Sequence, residues 1–262
     1  MQSSLSKKER RHSAILTALA DNPAIRVVAL AREMNVSTET IRRDLTELQK
    51  AGLLNRTYGG AVTAPPGFEP ALVERMNMYH AERKAIGMLA AQRLRGERSL
   101  LLGGGATVQH FARALRELAQ RMTIITPSYP VAAELSANPG IEVHMLPGIL
   151  EPGEHVVFGP ETLRAVRQYA PRAAVIGASG LGPEGISEAL LSLGEVYAAI
   201  ASQAEVTSVL ADHSKFDRRA LTMVAEWSAR LMLFTDRHPA DTLAAALHNR
   251  GATIEITASP EG

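Results

Sequence analysis

Through the first fifty residues the apolar positions recur every three or four places, and beyond about residue 98 they gather into short unbroken runs. Ile15, Leu16 and Leu19 follow the basic stretch Lys7–Arg11 at helical spacing. Asp21-Asn22-Pro23 stops that helix, because proline cannot continue one and Asn and Asp favour turns. Val28, Leu30, Ala31 and Met34 mark a second short helix over 27–34. After the turn Asn35-Val36-Ser37, either Ser37 or Thr38 can cap a third, with Ile41, Leu45 and Leu48 as its buried stripe. Ala51-Gly52 ends it, and residues 53–62 read as a β-hairpin about a glycine turn. Three short helices and a hairpin make a winged helix-turn-helix.

The composition changes at Pro65-Pro66-Gly67, a linker, and a charged amphipathic stretch follows over 73–95. That stretch suits a dimer-forming helix or a helix covering the domain equally well. Strands are then predicted at 99–102, 123–126, 142–146, 173–176, 207–211, 231–235 and 253–256, with helical patterns between, as at 108–120, 130–137 and 162–169. Near-continuous apolar strands alternating with helices predict an α/β domain with a mostly parallel sheet covered on both faces. The expected organisation is a winged helix over 1–63, a linker over 64–72 and an α/β domain over 73–262.

A 46 % hydrophobic, 21 % charged chain of 262 residues suits two packed domains. The absence of cysteine excludes disulfides, zinc fingers and iron–sulfur clusters. The eight histidines show no metal-ligand spacing, so neither metal nor cofactor is expected. No apolar run is long enough to span a membrane and the N-terminus has no secretory apolar core, so a cytoplasmic protein is expected. The net charge of +1 is unevenly spread. Residues 1–60 carry ten Lys/Arg against six acids, and the remainder 18 against 21. A small basic module on a larger, slightly acidic one suits a nucleic-acid reader with a separate domain.

In a helix-turn-helix the second helix enters the major groove and its first residues meet base edges and phosphates. Ser37, Thr38, Glu39, Thr40, Arg42 and Arg43 have the required polarity, while Ile41, Leu45 and Leu48 face the core at i, i+4 and i+7. Either arginine can bind guanine or phosphate. Arg56 and Tyr58 sit on the wing, placed for backbone or minor groove. The run VSTETIRRDLTELQKAGLLNRTYGGAV resembles the N-terminal signature of the DeoR family of bacterial transcriptional regulators. Tyr58 stands where members of that family commonly have His.

In the second half, the strand 100–102 runs into Gly103-Gly104-Gly105-Ala106-Thr107 and then a helix. Glycines let backbone amides approach a ligand, and a helix N-terminus favours an anion. The dinucleotide fingerprint is not met, because its third glycine falls at Val108. Thr126-Pro127-Ser128, Gly177-Ala178-Ser179-Gly180 and Asp212-His213-Ser214-Lys215 end further strands. Ligands of open α/β sheets bind beyond such ends, so one crevice is expected, with Lys215 as the charge for a phosphate or carboxylate. LLGGGATVQHFARAL, TIITPSYPVAAEL, AAVIGASGLGPEGIS and VLADHSKF are similar to the effector-sensing domain of the same family, which resembles ribose-5-phosphate isomerase in fold.

The resemblance covers nearly the whole chain. It implies an oligomeric repressor of a sugar or carbohydrate-derivative catabolic operon, binding double-stranded operator DNA and released by a small sugar-derived, phosphorylated effector without catalysis. Effector contacts are implied at Gly104, Gly105, Ala106, Thr107, Thr126, Ser128, Gly148, Ser179, Gly180, Tyr197 and Lys215, with Asp212 holding the loop or a hydroxyl. Gly103, Pro127 and Tyr197 stand where family members often have Asp, Asn and Lys, which points to an unusual effector. Glu151, Glu154 and Glu161 suggest a mobile acidic loop over the pocket, and Trp227 a core position. The rival reading is a sugar-phosphate isomerase-like enzyme fused to a DNA-tethering module, which needs a carboxylate base beside the substrate carbon.

Overall fold

The computed structural model describes residues 7–21, 25–50, 54–57, 60–63, 72–118 and 121–258. Contacts divide the chain into two units, Met1–Phe68 and Glu69–Gly262.

The first unit holds α1 (Lys7–Asp21), α2 (Val27–Glu33), α3 (Thr38–Lys50) and an antiparallel hairpin of β1 (Leu54–Thr57) and β2 (Gly60–Thr63). Its core is the expected stripe: Ile15, Leu19, Leu30, Ala31, Ile41, Leu45 and Leu48 are all buried. Burying each large aliphatic chain contributes about 2 kcal/mol, enough in sum to hold three short helices that would not persist alone. Asn35 turns the chain between α2 and α3 in the left-handed region at φ 51°, which asparagine tolerates. The breaker Pro23, the helix end at Ala51-Gly52, Tyr58-Gly59 at the wing tip and the linker prolines lie outside the described residues.

The second unit begins with α4 (Leu72–Arg75) and α5 (His80–Arg93), then β3 (Ser99–Leu102), α6 (Ala106–Arg116), β4 (Met122–Thr126), α7 (Tyr129–Leu135) and β5 (Ile141–Met145). A small antiparallel hairpin follows, β6 (Ile149–Glu151) with β7 (Val156–Phe158). Next come α8 (Pro160–Val166), β8 (Ala173–Ile176), β9 (Gly180–Gly182), β10 (Gly185–Glu188) and α9 (Leu191–Gln203). The chain closes with β11 (Val206–Leu210), β12 (Thr222–Glu226), β13 (Leu231–Thr235), α10 (Asp241–Asn249) and β14 (Thr253–Ile256).

Seven strands form one parallel sheet in the order β14-β13-β11-β8-β3-β4-β5. Side chains alternate between its faces: Leu100 and Leu102 enter the core beneath α5, α6 and α7, and Leu101 enters the opposite core beneath α8, α9 and α10. Trp227 lies in that second core, as expected, and its indole N–H donates to the Gly182 carbonyl at 2.8 Å. After β3 the chain builds outward through β4 and β5, and from β8 it builds the other way. The crevice between β3 and β8 is thus the topological switch point.

Three features depart from the sequence expectation, the first being that the acidic segment with Glu151, Glu154 and Glu161 is not one loop but the β6–β7 hairpin and the start of α8. The 73–95 stretch is two helices, because the chain turns at Tyr79 with φ 50° before α5 starts. A second, antiparallel sheet, β12-β10-β9, stands apart from the main one. Its members are three to five residues long and partly glycine, too short for a two-residue period to register.

Helices α5 and α6 cross closely; a Cβ on Gly87 would lie 2.6 Å from the Phe111 nitrogen. His110 is buried at this crossing, edge-on to His80 at 4.9 Å, with Nε2 lacking a hydrogen-bond partner. Burial first, then His80 and nearby cations, lowers its pKa from 6.5 to about 4. The folded chain therefore keeps His110 neutral while the unfolded chain takes up a proton below pH 6.5, so stability falls as pH drops from 6.5 to about 4. His110→Gln should flatten the fall by up to about 3 kcal/mol, read as the difference in urea unfolding free energy across that window.

Candidate functional site

Helix α3 carries the candidate DNA-reading residues. Ser37 is its cap: Oγ accepts the Thr40 N–H at 3.1 Å and lies 2.9 Å from the Thr40 hydroxyl. Thr38, Glu39, Arg42 and Arg43 are exposed and Thr40 is half-buried. Of the acids on this helix, Glu39 stays exposed beside the arginines, whereas Asp44 points the other way. It is buried and accepts Arg11 Nη2 at 3.0 Å, Arg11 Nε, and His12 Nε2 at 3.1 Å. Burial pushes its pKa up, but Arg11 and His12 outweigh that and hold it below the usual carboxylate range. These bonds pin α1 to α3, and Arg42 and Arg43 make no ion pair among the described residues. Arg56 lies on β1, of which only the backbone is described, and Tyr58 lies outside the described residues.

His12, Asp44 and Glu47 come within 4.8 Å of one another, a cluster with no signal in the sequence spacing. Arg11 on Asp44 and Lys8 on Glu47 at 2.7 Å already supply the countercharge, which makes it an ion-pair network between two helices.

In the second unit a cavity lies over the carboxyl ends of β3 and β8. The glycine turn supplies Gly104, Gly105, Ala106 and Thr107; the β8 end supplies Gly177 and Ala178. Gly105 takes φ +101°, open only to glycine, and it starts α6 with its N-terminus at the cavity. Lys215 enters from the short 3-10 turn His213–Lys215, and Tyr197 from α9. Arg75, Arg83, Glu154 and Glu188 complete the wall, every one of them buried. Six charged side chains at one strand-end crevice, counting Asp212 behind them, is the concentration of buried charge that marks a site rather than a core.

Each charge is held by named partners. Arg83 Nε donates to Asp212 Oδ2 at 2.7 Å, and its Nη1 donates to the Arg75 carbonyl. Asp212 Oδ1 accepts the Ser214 N–H at 3.0 Å, which shapes the turn carrying Lys215. Burial pushes the Asp212 pKa up, but Arg83, Lys215 and Ser214 together bring it below its ordinary value. Glu188 accepts the Ser179 hydroxyl at 3.0 Å and the Ala189 N–H at 2.8 Å. Arg75 donates to Glu154. Burial, then Glu188 and Glu154, push the Tyr197 pKa far up, so its hydroxyl keeps its proton, and the Gly104 backbone hydrogen-bonds to it. The Tyr197 ring lies where a side chain at position 103 would stand, 3.1 Å from a Cβ built on Gly103.

Of the expected effector residues, Gly104, Gly105, Ala106, Thr107, Tyr197 and Lys215 line the cavity together. Ser179 and Asp212 stand behind it through Glu188 and Arg83. Thr126 is buried and its Oγ1 accepts the Ser128 N–H at 3.1 Å; Ser128 Oγ has no partner and lies 3.3 Å from a Cβ built on Gly104. Gly180 packs against the Arg218 carbonyl, and Gly148 against Thr162 and Phe158, so neither lines the cavity. His213 is turned to Asp236, with Nδ1 2.6 Å from Oδ2.

The model for the DeoR-like helix-turn-helix domain matches residues 11–66, and that for the DeoR C terminal sensor domain matches 78–237. The chain belongs to the DeoR family. It is a DNA-binding transcriptional regulator with a sensor domain. The HTH-type transcriptional repressor GlcR of Bacillus subtilis is 30 % identical over 97 % of this chain and 98 % of its own length. The Glycerol-3-phosphate regulon repressor of Escherichia coli is 25 % identical over 95 % and 99 %. Among solved structures, ribose 5 phosphate isomerase A of Neisseria gonorrhoeae matches 52 % of this chain and 53 % of its own, at 16 % identity and TM-score 0.38, a likeness too distant to argue chemistry from.

The regulator's cavity residues that escape a sequence reading are Arg75, Arg83 and Glu188. The two arginines had a legible signal: Leu72, Arg75, Tyr79, Arg83, Ile86 and Ala90 follow one another at three- and four-residue steps, so both occupy places of an apolar stripe. Arg83→Met should leave the Asp212 carboxylate buried without its main partner and cost about 3 kcal/mol. Arg83→Met with Asp212→Asn should recover part of the loss, which a double-mutant cycle by urea unfolding measures.

Proposed function

We propose that this DeoR-family regulator is a repressor of carbohydrate-related genes that leaves its operator when a small sugar-derived anion binds the sensor cavity. The observation that carries the reading is the convergence of Lys215, Arg75 and the α6 N-terminus on one crevice over β3 and β8. Named relatives repress the glycerol-3-phosphate regulon and, putatively, the aga operon, which supports the choice of effector class. Glu188 and the buried Ser128 hydroxyl are suited to sugar hydroxyls, an acceptor and an uncommitted polar group respectively. The cavity acids support binding over turnover: Glu154 is engaged by Arg75, Asp212 by Arg83, and Glu188 by a hydroxyl and backbone N–H groups. A regulator of this kind acts in the cytoplasm, and a recognition helix reads only a few base pairs, so an even-numbered oligomer on paired half-sites fits the task.

Two outcomes test the reading. Arg42→Ala and Arg43→Ala should each weaken operator binding in a mobility-shift assay while the melting temperature stays put. A base contact costs about 1–3 kcal/mol and relaxes specificity, whereas a phosphate contact lowers affinity on all sequences and flattens the salt slope. Unchanged affinity in both variants counts against the reading face. Lys215→Ala should keep operator affinity and lose the response to sugar phosphates in the same assay; retention of release would remove Lys215 from the site.

A further inference from the structure

The cavity is narrowed by the chain's own side chains. Its free space is about 20 Å³, close to that of one water, where a bound sugar derivative needs roughly 300 Å³. A sugar-sized effector therefore needs part of the wall to give way. Tyr197 is fully buried beside Gly103, and Glu188 is fixed by β10 and by donors on two sides. Glu154 differs from both. It lies in the turn between β6 and β7, next to the exposed Pro152 and Gly153, yet its side chain is only 12 % exposed and meets Arg75 inside.

The turn is built to deliver that carboxylate. Its backbone N–H donates to the Glu151 carboxylate, and His155 takes a left-handed φ of 54°, a conformation a side-chain-bearing residue seldom adopts. The next residues are tied to the 127–129 loop: Tyr129 N–H donates to the His155 carbonyl at 3.0 Å, and Val157 N–H to the Pro127 carbonyl at 2.8 Å. Glu154 thus sits in the turn of an anchored hairpin, with its carboxylate on Arg75 in a cavity that Lys215 and the first residues of α6 also line.

We propose that Glu154 is a built-in stand-in for the effector's anionic group: it occupies Arg75 when the cavity is empty, and an incoming phosphate or carboxylate takes its place. This rests on the reading of the cavity as an anion-binding effector site. The exchange frees the 151–155 turn and changes the charge partner of Arg75, which lies on α4, the first described element after the first unit ends at Phe68. A phosphate group carries about −1.5 to −2 charge near neutral pH against the single negative charge of the Glu154 carboxylate, and that difference favours the exchange.

The test is calorimetric titration of inorganic phosphate into the full chain, as wild type, Glu154→Gln, Glu154→Ala and Lys215→Ala, each checked by its thermal melt. Removing the competing carboxylate should tighten phosphate binding about tenfold or more in both Glu154 variants, since a unit charge at contact distance is worth at least that. Lys215→Ala should abolish binding. Hydrogen exchange of the wild-type hairpin over 149–158 should speed up on phosphate addition. Phosphate binding that depends on Lys215 but is equal in wild type and the Glu154 variants, with no faster exchange, overturns the stand-in and leaves the anion site standing. Phosphate binding in none of the folded proteins overturns both.

Discussion

Two full charges buried in a sheet protein are tolerable only when each satisfies the other, and the sensor unit depends on one such pair. Arg83 and Asp212 are almost wholly inaccessible, and they join the first long helix of the unit to the end of strand β11. From Asp212 the constraint passes to the Ser214 N–H and the Lys215 turn; from Arg83 it passes to the Arg75 carbonyl, and so to the guanidinium that meets Glu154. The Arg75, Glu154 and Lys215 side of the cavity wall is therefore tied by this network to a pair that water cannot screen. Such a network is stable when complete and unforgiving when a member is lost, which suits a site that must report occupancy.

The sheet order explains why the network lies where it does. Reversal of the winding direction between β3 and β8 leaves the strand ends uncovered at one place, and the glycine turn after β3 fills it with backbone rather than side chain. In this regulator the Tyr197 ring fills the place a side chain at Gly103 would take, and its protonated hydroxyl meets Gly104. Gly103 and Tyr197 are one feature in physical terms: an aromatic wall exists because no side chain competes for its volume.

The DNA-reading unit obeys the same logic with opposite placement of charge. Asp44 is drawn into the interface with α1 by Arg11 and His12, and this leaves the neighbouring arginines exposed. Two of the helix's three acids, Asp44 and Glu47, are committed to α1, and Glu39 alone stays exposed beside the arginines.

Much of this was legible from the chain alone. The apolar stripes through Ile15, Ile41 and Leu45 and the strand runs at 100–102 and 173–176 determine a winged helix and a parallel sheet, because periodicity is a local property that needs no partner to be read. The glycine turn, Lys215 and the arginines at 42 and 43 were legible too, since each stands at the end of an element whose direction the pattern sets. Contacts between distant segments decided the rest. Glu154 reads as one acid of a loop, and Arg75 and Arg83 as charges on an amphipathic stretch; only folding brings residue 75 to 154 and residue 83 to 212. The fate of Asp44 likewise turned on a partner 33 positions away. Sequence spacing encodes which face of an element a side chain occupies, whereas the partner it meets there depends on how separate elements pack. Burial then converts that meeting into a strong interaction by excluding water.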